Sequence, residues 1–227
     1  MFNSKYGNLL TALLVVVIIA IIGLLGFFGY DAYQKYFITK DTGEFVDSFS
    51  QGIETNTETD NENKTDDGQT EANALDEIES TQTTSPSGKK VVTYKGFNVL
   101  GTIEIPKTNL KYPILEKVTK KSIETAVAVL YGPGPNQPGN TVIVGHNYRN
   151  GLFFSNNKKL SNGDKIYITD LDGKKVTYTI YNKYETTPED TEYMTRNTNG
   201  AREISLSTCT DDSSARLIIW AKADEDQ

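Results

Sequence analysis

An uncharged apolar run near the N-terminus limits how this chain of 227 residues can fold. The twenty residues from Leu9 to Phe28 include no charged side chain, and most of them are Leu, Val or Ile. A helix of that length spans roughly 30 Å at about 1.5 Å per residue, which matches the hydrocarbon core of a bilayer. A cleavable signal peptide has a shorter apolar core, of about 7–15 residues, and a helix of a soluble domain has a polar face that this run lacks. The sequence therefore predicts a single membrane-spanning helix.

Charge divides the chain into three predicted domains. Residues 1–40 carry three basic side chains and one acidic one, a net of +2, and are predicted to form an N-terminal tip and the membrane anchor. Lys residues flank the apolar run on both sides, so they do not decide its orientation. Residues 41–90 carry 13 acidic and 3 basic side chains, a net of −10, whereas residues 91–227 carry 16 and 17, a net of +1. The net charge of −7 therefore arises from the middle segment.

The middle segment, residues 41–90, is predicted to be a disordered acidic linker. It consists mostly of Thr, Asn, Asp, Glu, Ser and Gln, with few large apolar residues. Such a segment cannot bury enough apolar surface to offset the entropy lost when it becomes ordered. A short helix near residues 72–79 is the alternative for one part of it. We interpret the segment as a solvated tether that keeps the following domain near the membrane.

The chain contains one Cys and one His, and this scarcity excludes several classes of protein. One Cys cannot form an intramolecular disulfide framework, and one Cys with one His cannot complete a tetrahedral zinc site of Cys and His ligands. An acidic chain is also unsuited to sequence-independent binding of DNA or RNA, which needs a basic surface against the phosphates. No nucleic-acid partner is therefore predicted.

Alternation of polar and apolar residues predicts a mainly β domain over residues 91–227, with about seven strands in a compact barrel or sandwich. One short helix is predicted at 120–130, before a loop rich in Gly and Pro. The predicted strands are 99–105, 110–115, 140–146, 164–170, 174–186, 203–209 and 216–223.

Three residues with reactive side chains lie at the ends of predicted strands. If strands 203–209 and 216–223 form a hairpin, Cys209 and Arg216 face each other across its end. A guanidinium in that position could lower the pKa of the thiol or could donate to an oxyanion on an attacked carbonyl. His146 ends another strand and could exchange protons near neutral pH. Taken singly, Cys209 could be a small buried side chain, His146 a surface loop residue and Arg216 a solvent-facing charge at a sheet edge. Their shared placement at strand ends favours a nucleophilic site.

The same residues carry a resemblance to a known family. Residues 205–209, SLSTC, followed by Arg216, resemble the T-L-x-T-C signature of the sortases, with Ser205 in place of the first Thr. Residues 140–146, NTVIVGH, resemble the strand that leads to the catalytic His of the family. The resemblance covers about residues 97–223 and also includes GTIEIPK at 101–107, Phe153, Leu160 and Gly163-Asp164.

The resemblance implies a membrane-anchored cysteine transpeptidase of Gram-positive bacteria, built on an eight-stranded β-barrel with short helices. By position, Cys209 attacks the Thr carbonyl of an LPxTG-like sorting signal, His146 exchanges protons with the leaving and incoming amines, and Arg216 binds the substrate backbone and the oxyanion. The acyl-enzyme is released by an amine of a cell-wall precursor. The resemblance also implies an orientation, with the tip of residues 1–40 in the cytoplasm and the catalytic domain, residues 91–227, outside the cell. Thr208, Val144 and Ile204 are predicted to contact the substrate.

Subclass and cofactor follow from smaller features. The chain shows neither a C-terminal hydrophobic span nor the aromatic Asp-Pro lid of many pilin-polymerising members, which favours a housekeeping or class D-like enzyme. The loop 185–202 lies where the family reads its sorting signal. Its acidic residues Glu189, Asp190 and Glu192 could bind Ca²⁺, although we favour a solvated loop and predict no metal or other cofactor.

Two other functions compete with transpeptidation. A hydrolytic cysteine protease on the same barrel would use the same three residues, and only the effect of an added amine on the products would distinguish it. A tethered adhesion or binding module would leave Cys209 and His146 incidental, so Cys209 would not react with a thiol-directed vinyl sulfone.

Overall fold

The computed structural model describes residues 4–57, 82–84 and 90–224. The chain divides into two compact units, residues 1–40 and residues 41–227. The first unit consists of the N-terminal part of helix α1, Ser4–Thr57. Among the described residues, one stretch, Leu9–Gly52, is long and apolar enough to cross a membrane. The apolar side chains described in the predicted span are exposed, as expected of a helix whose surroundings are lipid.

The predicted disordered linker is wrong for residues 41–57, which are helical. The physical reason is an apolar stripe at helical spacing: Phe45, Val46 and Phe49 are almost fully buried within the second unit. The ring of Phe45 lies 4.9 Å from that of Tyr94, centroid to centroid, and the Tyr94 hydroxyl donates to Asp41 at 2.7 Å. The remainder of the predicted linker, with the possible helix at 72–79, lies outside the described residues except for 82–84 and 90.

We expect Phe45→Ala to lower the free energy of unfolding by about 3–5 kcal/mol, because a fully buried aromatic side chain is lost. Asp47→Ala in the same helix removes an exposed ion pair with Lys111 and should cost at most about 1 kcal/mol. Urea unfolding followed by the fluorescence of Trp220, the only Trp, measures both. Equal midpoints for Phe45→Ala and the wild type would show that the helix does not stabilise the barrel.

Ten strands form one sheet within the described part of the chain, and eight of them close into a barrel. Strands β1 to β10, in chain order, are Gln82–Thr84, Lys90–Tyr94, Phe97–Ile105, Leu110–Leu115, Val127–Tyr131, Gly139–Val144, Lys165–Asp170, Lys175–Thr186, Arg202–Cys209 and Arg216–Ala223. The barrel order is β3-β4-β5-β6-β9-β10-β8-β7, and β7 pairs again with β3. The pairings β4–β5 and β6–β9 are parallel, and the other pairings of the barrel are antiparallel. β1 and β2 extend the sheet beyond β3. The predicted eight-stranded barrel with short helices is therefore confirmed.

The barrel core consists of the inward faces of the strands. These faces carry branched aliphatic side chains that alternate with outward residues, as the strand period requires. Fully buried members are Ile103, Ile105, Ile114, Ile143, Ile166, Ile168, Ile180, Ile204, Leu206 and Ile219.

The predicted helix at 120–130 is shorter in the structure. Helix α2 spans Lys120–Thr125 and begins with a capping box between Thr119 and Ser122. The remaining residues form β5, because Val127 pairs with Ile114 of β4 and Ala128 pairs with Val144 of β6. These partners are distant in sequence, so local pattern does not reveal them. A third short helix, α3, spans Glu192–Thr195.

Candidate active site

The β9–β10 hairpin places Cys209 opposite Arg216, as predicted. Nη1 of Arg216 donates a hydrogen bond to Sγ of Cys209 at 3.2 Å. Both residues are half-buried at the end of the hairpin, where the turn 210–215 begins. A guanidinium this close can stabilise negative charge on a carbonyl oxygen that the sulfur attacks.

His146 lies just beyond β6, where close packing requires a glycine before it. A Cβ on Gly145 would lie 2.9 Å from the ring of Phe154 and 3.0 Å from Val127, closer than side chains tolerate. The Thr208 hydroxyl donates to the Gly145 carbonyl at 2.7 Å, and the His146 carbonyl accepts from the Phe154 N–H at 3.0 Å. The first of these bonds attaches the end of β6 to β9, one residue before Cys209, and the second attaches it to the loop that follows β6.

A groove of about 270 Å³ brings the three reactive residues together. Its walls are otherwise largely apolar, and Leu130 and Val118 leave 40% and 36% of their surface exposed. Exposed apolar surface beside a few convergent polar groups is typical of a ligand-binding site. The lining residues are Val118, Ile123, Leu130, Val144, Gly145, His146, Ser207, Thr208, Cys209 and Arg216.

The surroundings of His146 favour its neutral form. Burial lowers the pKa of the imidazole, and the negative charge of Glu124 opposes this effect in part. The ring packs on the Tyr148 ring, with centroids 4.7 Å apart, and lies nearly perpendicular to the Phe153 ring, with centroids 6.3 Å apart. At neutral pH the neutral imidazole, which can accept a proton, is therefore the major form, and the imidazolium, which can donate one, is the minor form.

We expect Glu124→Gln to lower the pKa of His146 further, because the charge that favours the imidazolium is removed. The acidic limb of the kcat/KM profile should then move to lower pH. Because His146 is the only His, its C–H resonances in an NMR titration report this pKa directly. Glu189→Gln, in the exposed part of the β8–β9 loop, is the matched control and should leave the titration unchanged. A rise in the pKa of His146 in Glu124→Gln would contradict this account.

Asn147 connects the strand end at His146 to the Cys209 turn, and the sequence analysis did not identify it. Its Nδ2 donates to the Cys209 carbonyl at 3.0 Å and to Oδ1 of Asp211 at 2.9 Å. Lys158 pairs with Asp211 at 2.5 Å, and the hydrogen bonds from Lys158 and Asn147 lower the pKa of that carboxyl. The sequence gives no indication of this role, because the Cys209 carbonyl that Asn147 binds lies 62 residues away along the chain.

The three predicted substrate contacts have different positions. Val144 lines the groove, on the same face as Cys209. Thr208 lines the groove, but its hydroxyl donates to the Gly145 carbonyl and the residue is almost fully buried. Ile204 has no exposed surface, because it lies on the inward face of β9, opposite to the face that bears Cys209. A substrate contact at Ile204 is therefore wrong for this structure.

The acidic residues of the β8–β9 loop form local hydrogen bonds. Asp190 accepts from the Thr186 hydroxyl at 2.6 Å and from the Glu192 N–H at 2.8 Å. Both bonds lower the pKa of Asp190. Among the residues that the structure describes, no group of three or more His, Cys, Asp or Glu side chains is arranged to hold a metal ion.

Solved structures similar to this chain are sortases. Sortase D5, a transpeptidase of Clostridium perfringens, is 30% identical, with a TM-score of 0.51 over 56% of this chain and 79% of that one. Sortase A of Corynebacterium diphtheriae, in a lid mutant, is 27% identical, with a TM-score of 0.52 over 57% of this chain and 72% of that one. Sortase C-1 of Actinomyces oris is 25% identical, with a TM-score of 0.51 over 56% and 74%.

Sequence comparison agrees with the structural one. Sortase A of Bacillus anthracis is 32% identical over 124 residues, which are 53% of this chain and 58% of that protein. The chain thus spans somewhat more than half the length of this relative. The family model for the sortase domain matches residues 103–224, which include the barrel from the end of β3 onward and all three reactive residues. Because this match covers more than half of the chain, the protein belongs to the sortase family.

Proposed function

We propose that the protein is a cysteine transpeptidase that cleaves an LPxTG-like sorting signal between Thr and Gly and transfers the Thr carbonyl to an amine. The observation that carries the proposal is the hydrogen bond from Arg216 to the Cys209 sulfur in an apolar groove that His146 also lines. Membership of the sortase family supports the same chemistry. The apolar walls suit the Leu and Pro side chains at the start of such a signal.

The first half-reaction forms a thioester. The Cys209 thiolate attacks the Thr carbonyl carbon, and the guanidinium of Arg216 binds the oxyanion that develops. As the C–N bond breaks, the His146 imidazolium gives its proton to the departing amine of Gly. The N-terminal fragment of the substrate then remains on Cys209 as an acyl group.

The second half-reaction releases the acyl group to an acceptor. Neutral His146 takes a proton from the incoming amine, whose nitrogen attacks the thioester, and the Cys209 thiolate leaves. We propose an amine of a cell-wall precursor as the acceptor and surface proteins with a C-terminal sorting signal as donors. The N-terminal helix would hold the enzyme in the cell membrane as a single span, with the barrel on the outer side, where these partners are found.

Analysis of the products with and without an added amine tests transpeptidation. Full-length protein in detergent micelles is incubated with a peptide containing LPxTG and with triglycine. We expect a product that joins the N-terminal fragment to triglycine. Release of the free acid alone, unchanged by triglycine, would favour the hydrolytic protease instead.

Subclass and cofactor remain parts of the proposal. We propose a housekeeping or class D-like enzyme; efficient use of a pilin lysine in place of triglycine would indicate the pilin-polymerising alternative. We propose that no metal takes part, so EDTA and added Ca²⁺ should leave the rate unchanged. Activation by Ca²⁺ would contradict that statement and would direct attention to Glu189, Asp190 and Glu192.

A further inference from the structure

The segment between β8 and β9, residues 187–201, lies on the outer face of the barrel and contains α3. Its anchor is Tyr193, which is 4% exposed and packs with Val142 of β6 and Ile218 of β10. The segment itself contains no β-strand. Its position on the barrel therefore depends on side-chain contacts rather than on a ladder of backbone hydrogen bonds.

Asn140, at the start of β6, forms hydrogen bonds that attach this segment to the barrel. Its Nδ2 donates to the carbonyls of Tyr193 and Met194, both at 2.9 Å. Its Oδ1 accepts from the Ser205 hydroxyl at 2.9 Å and from Nη2 of Arg196 at 3.1 Å. The amide is thus satisfied on both atoms, and it links the loop to β6 and β9 at one point.

Arg196, the residue after α3, provides a second attachment of the segment to the barrel. Nη1 pairs with the carboxylate of Glu203, at the start of β9, and also donates to the Tyr181 hydroxyl at 2.9 Å. The guanidinium carbon lies 4.7 Å from the centre of the Trp220 ring, in a cation–π contact. Side-chain exposures of 13% for Arg196 and 10% for Glu203 mean that neither charge is well solvated without the other.

The segment reaches the groove through two contacts. The Tyr193 hydroxyl donates to Oγ of Ser207 at 3.3 Å, and Val144 packs against the cluster formed by Tyr193 and its neighbours. Ser207 and Val144 both line the groove that contains Cys209. Movement of Tyr193 would therefore change the wall of the groove while leaving the contact between Cys209 and Arg216 in place.

We propose that Arg196 is a positioning residue for donor binding: its bonds to Glu203, Tyr181 and Asn140 hold the β8–β9 segment, and Tyr193 transmits that position to the groove wall at Ser207 and Val144. This inference rests on the proposed function. Arg196 touches none of the reacting groups, so its effect falls on the affinity for the sorting peptide rather than on the chemical step.

The test uses full-length protein in detergent micelles, with an LPxTG peptide and triglycine. Arg196→Gln should raise KM for the peptide about tenfold or more and leave kcat within about twofold, the pattern of lost ground-state binding. Hydrogen exchange of residues 187–201 should become faster. Alkylation of Cys209 by iodoacetamide should keep its wild-type rate. Arg196→Lys keeps the charge but lacks the planar fork, and its KM should be intermediate.

A second variant guards against misfolding, because Arg196→Gln leaves a buried carboxylate without its cation. Arg196→Gln with Glu203→Gln removes both charges and should show the same rise in KM and the same faster exchange. Lys222→Gln, an exposed position on β10, is the control for loss of one positive charge. Wild-type KM and exchange in the folded double variant would overturn the role of Arg196. A wild-type protein that cleaves no sorting peptide would instead overturn the proposed function, and this inference with it.

Discussion

Replacing Cys209 with alanine is expected to abolish both cleavage of the sorting peptide and its transfer to an amine. The loss should be at least about 10⁴-fold, because no other residue in the groove can form the thioester. The fold should survive, since Cys209 is half-buried at the end of β9 and its sulfur contacts only Arg216 by hydrogen bonding among the described residues. Liquid chromatography of the peptide products measures cleavage and transfer in one assay.

The melting temperature of the Cys209→Ala protein is the control for the fold. It should match that of the wild type, so that loss of activity reflects loss of the nucleophile. The identity of the nucleophile has an independent check, because Cys209 is the only thiol that a thiol-directed vinyl sulfone can label. Cleavage at the wild-type rate in Cys209→Ala would end the proposal of covalent catalysis and would favour the binding module.

Replacing Arg216 has the second-largest expected effect. Arg216→Ala should lower kcat/KM about 10²–10³-fold, the usual consequence of removing one donor to an oxyanion. Arg216→Lys should recover only part of this loss, because an ammonium cannot present two parallel N–H donors. Lys222→Gln, on the same strand but exposed, should retain wild-type kcat/KM.

The rate at which iodoacetamide alkylates Cys209 separates the two roles that Arg216 could have. If the guanidinium stabilises the thiolate, alkylation at neutral pH slows in Arg216→Ala, because less of the nucleophilic form is present. If it acts on the oxyanion alone, alkylation keeps its rate while kcat/KM falls. Wild-type kcat/KM in Arg216→Ala would contradict both roles.

The local alternation of polar and apolar residues was sufficient to predict β9 and β10, the two strands that carry Cys209 and Arg216. The alternation in 203–209 and 216–223 predicted β9 to within one residue and β10 at its observed bounds, and the short turn between them predicted that Cys209 faces Arg216. Hairpin partners are close in sequence, so their register follows from the turn. The eight-stranded barrel itself came from the family resemblance, since alternation alone left a sandwich equally open.

Features that depend on distant partners were not predictable from pattern. The second half of the predicted helix at 120–130 became β5 because β4 and β6 flank it. Residues 41–57 appeared too polar to order, yet three apolar side chains on one helical face bury against the barrel unit. The hydrogen bond from Arg196 to Asn140 of β6 joins residues 56 positions apart, a contact that composition does not show.

The central claim, that Cys209 carries an acyl group derived from the sorting peptide, can be tested most directly by mass spectrometry of the intact protein. Full-length protein mixed with an LPxTG peptide and quenched in acid should gain the mass of the N-terminal fragment ending in Thr, less one water. Added triglycine should remove this adduct, and Cys209→Ala should never form it. Cleavage of the peptide without any adduct on Cys209, or with an adduct on another residue, would contradict the account.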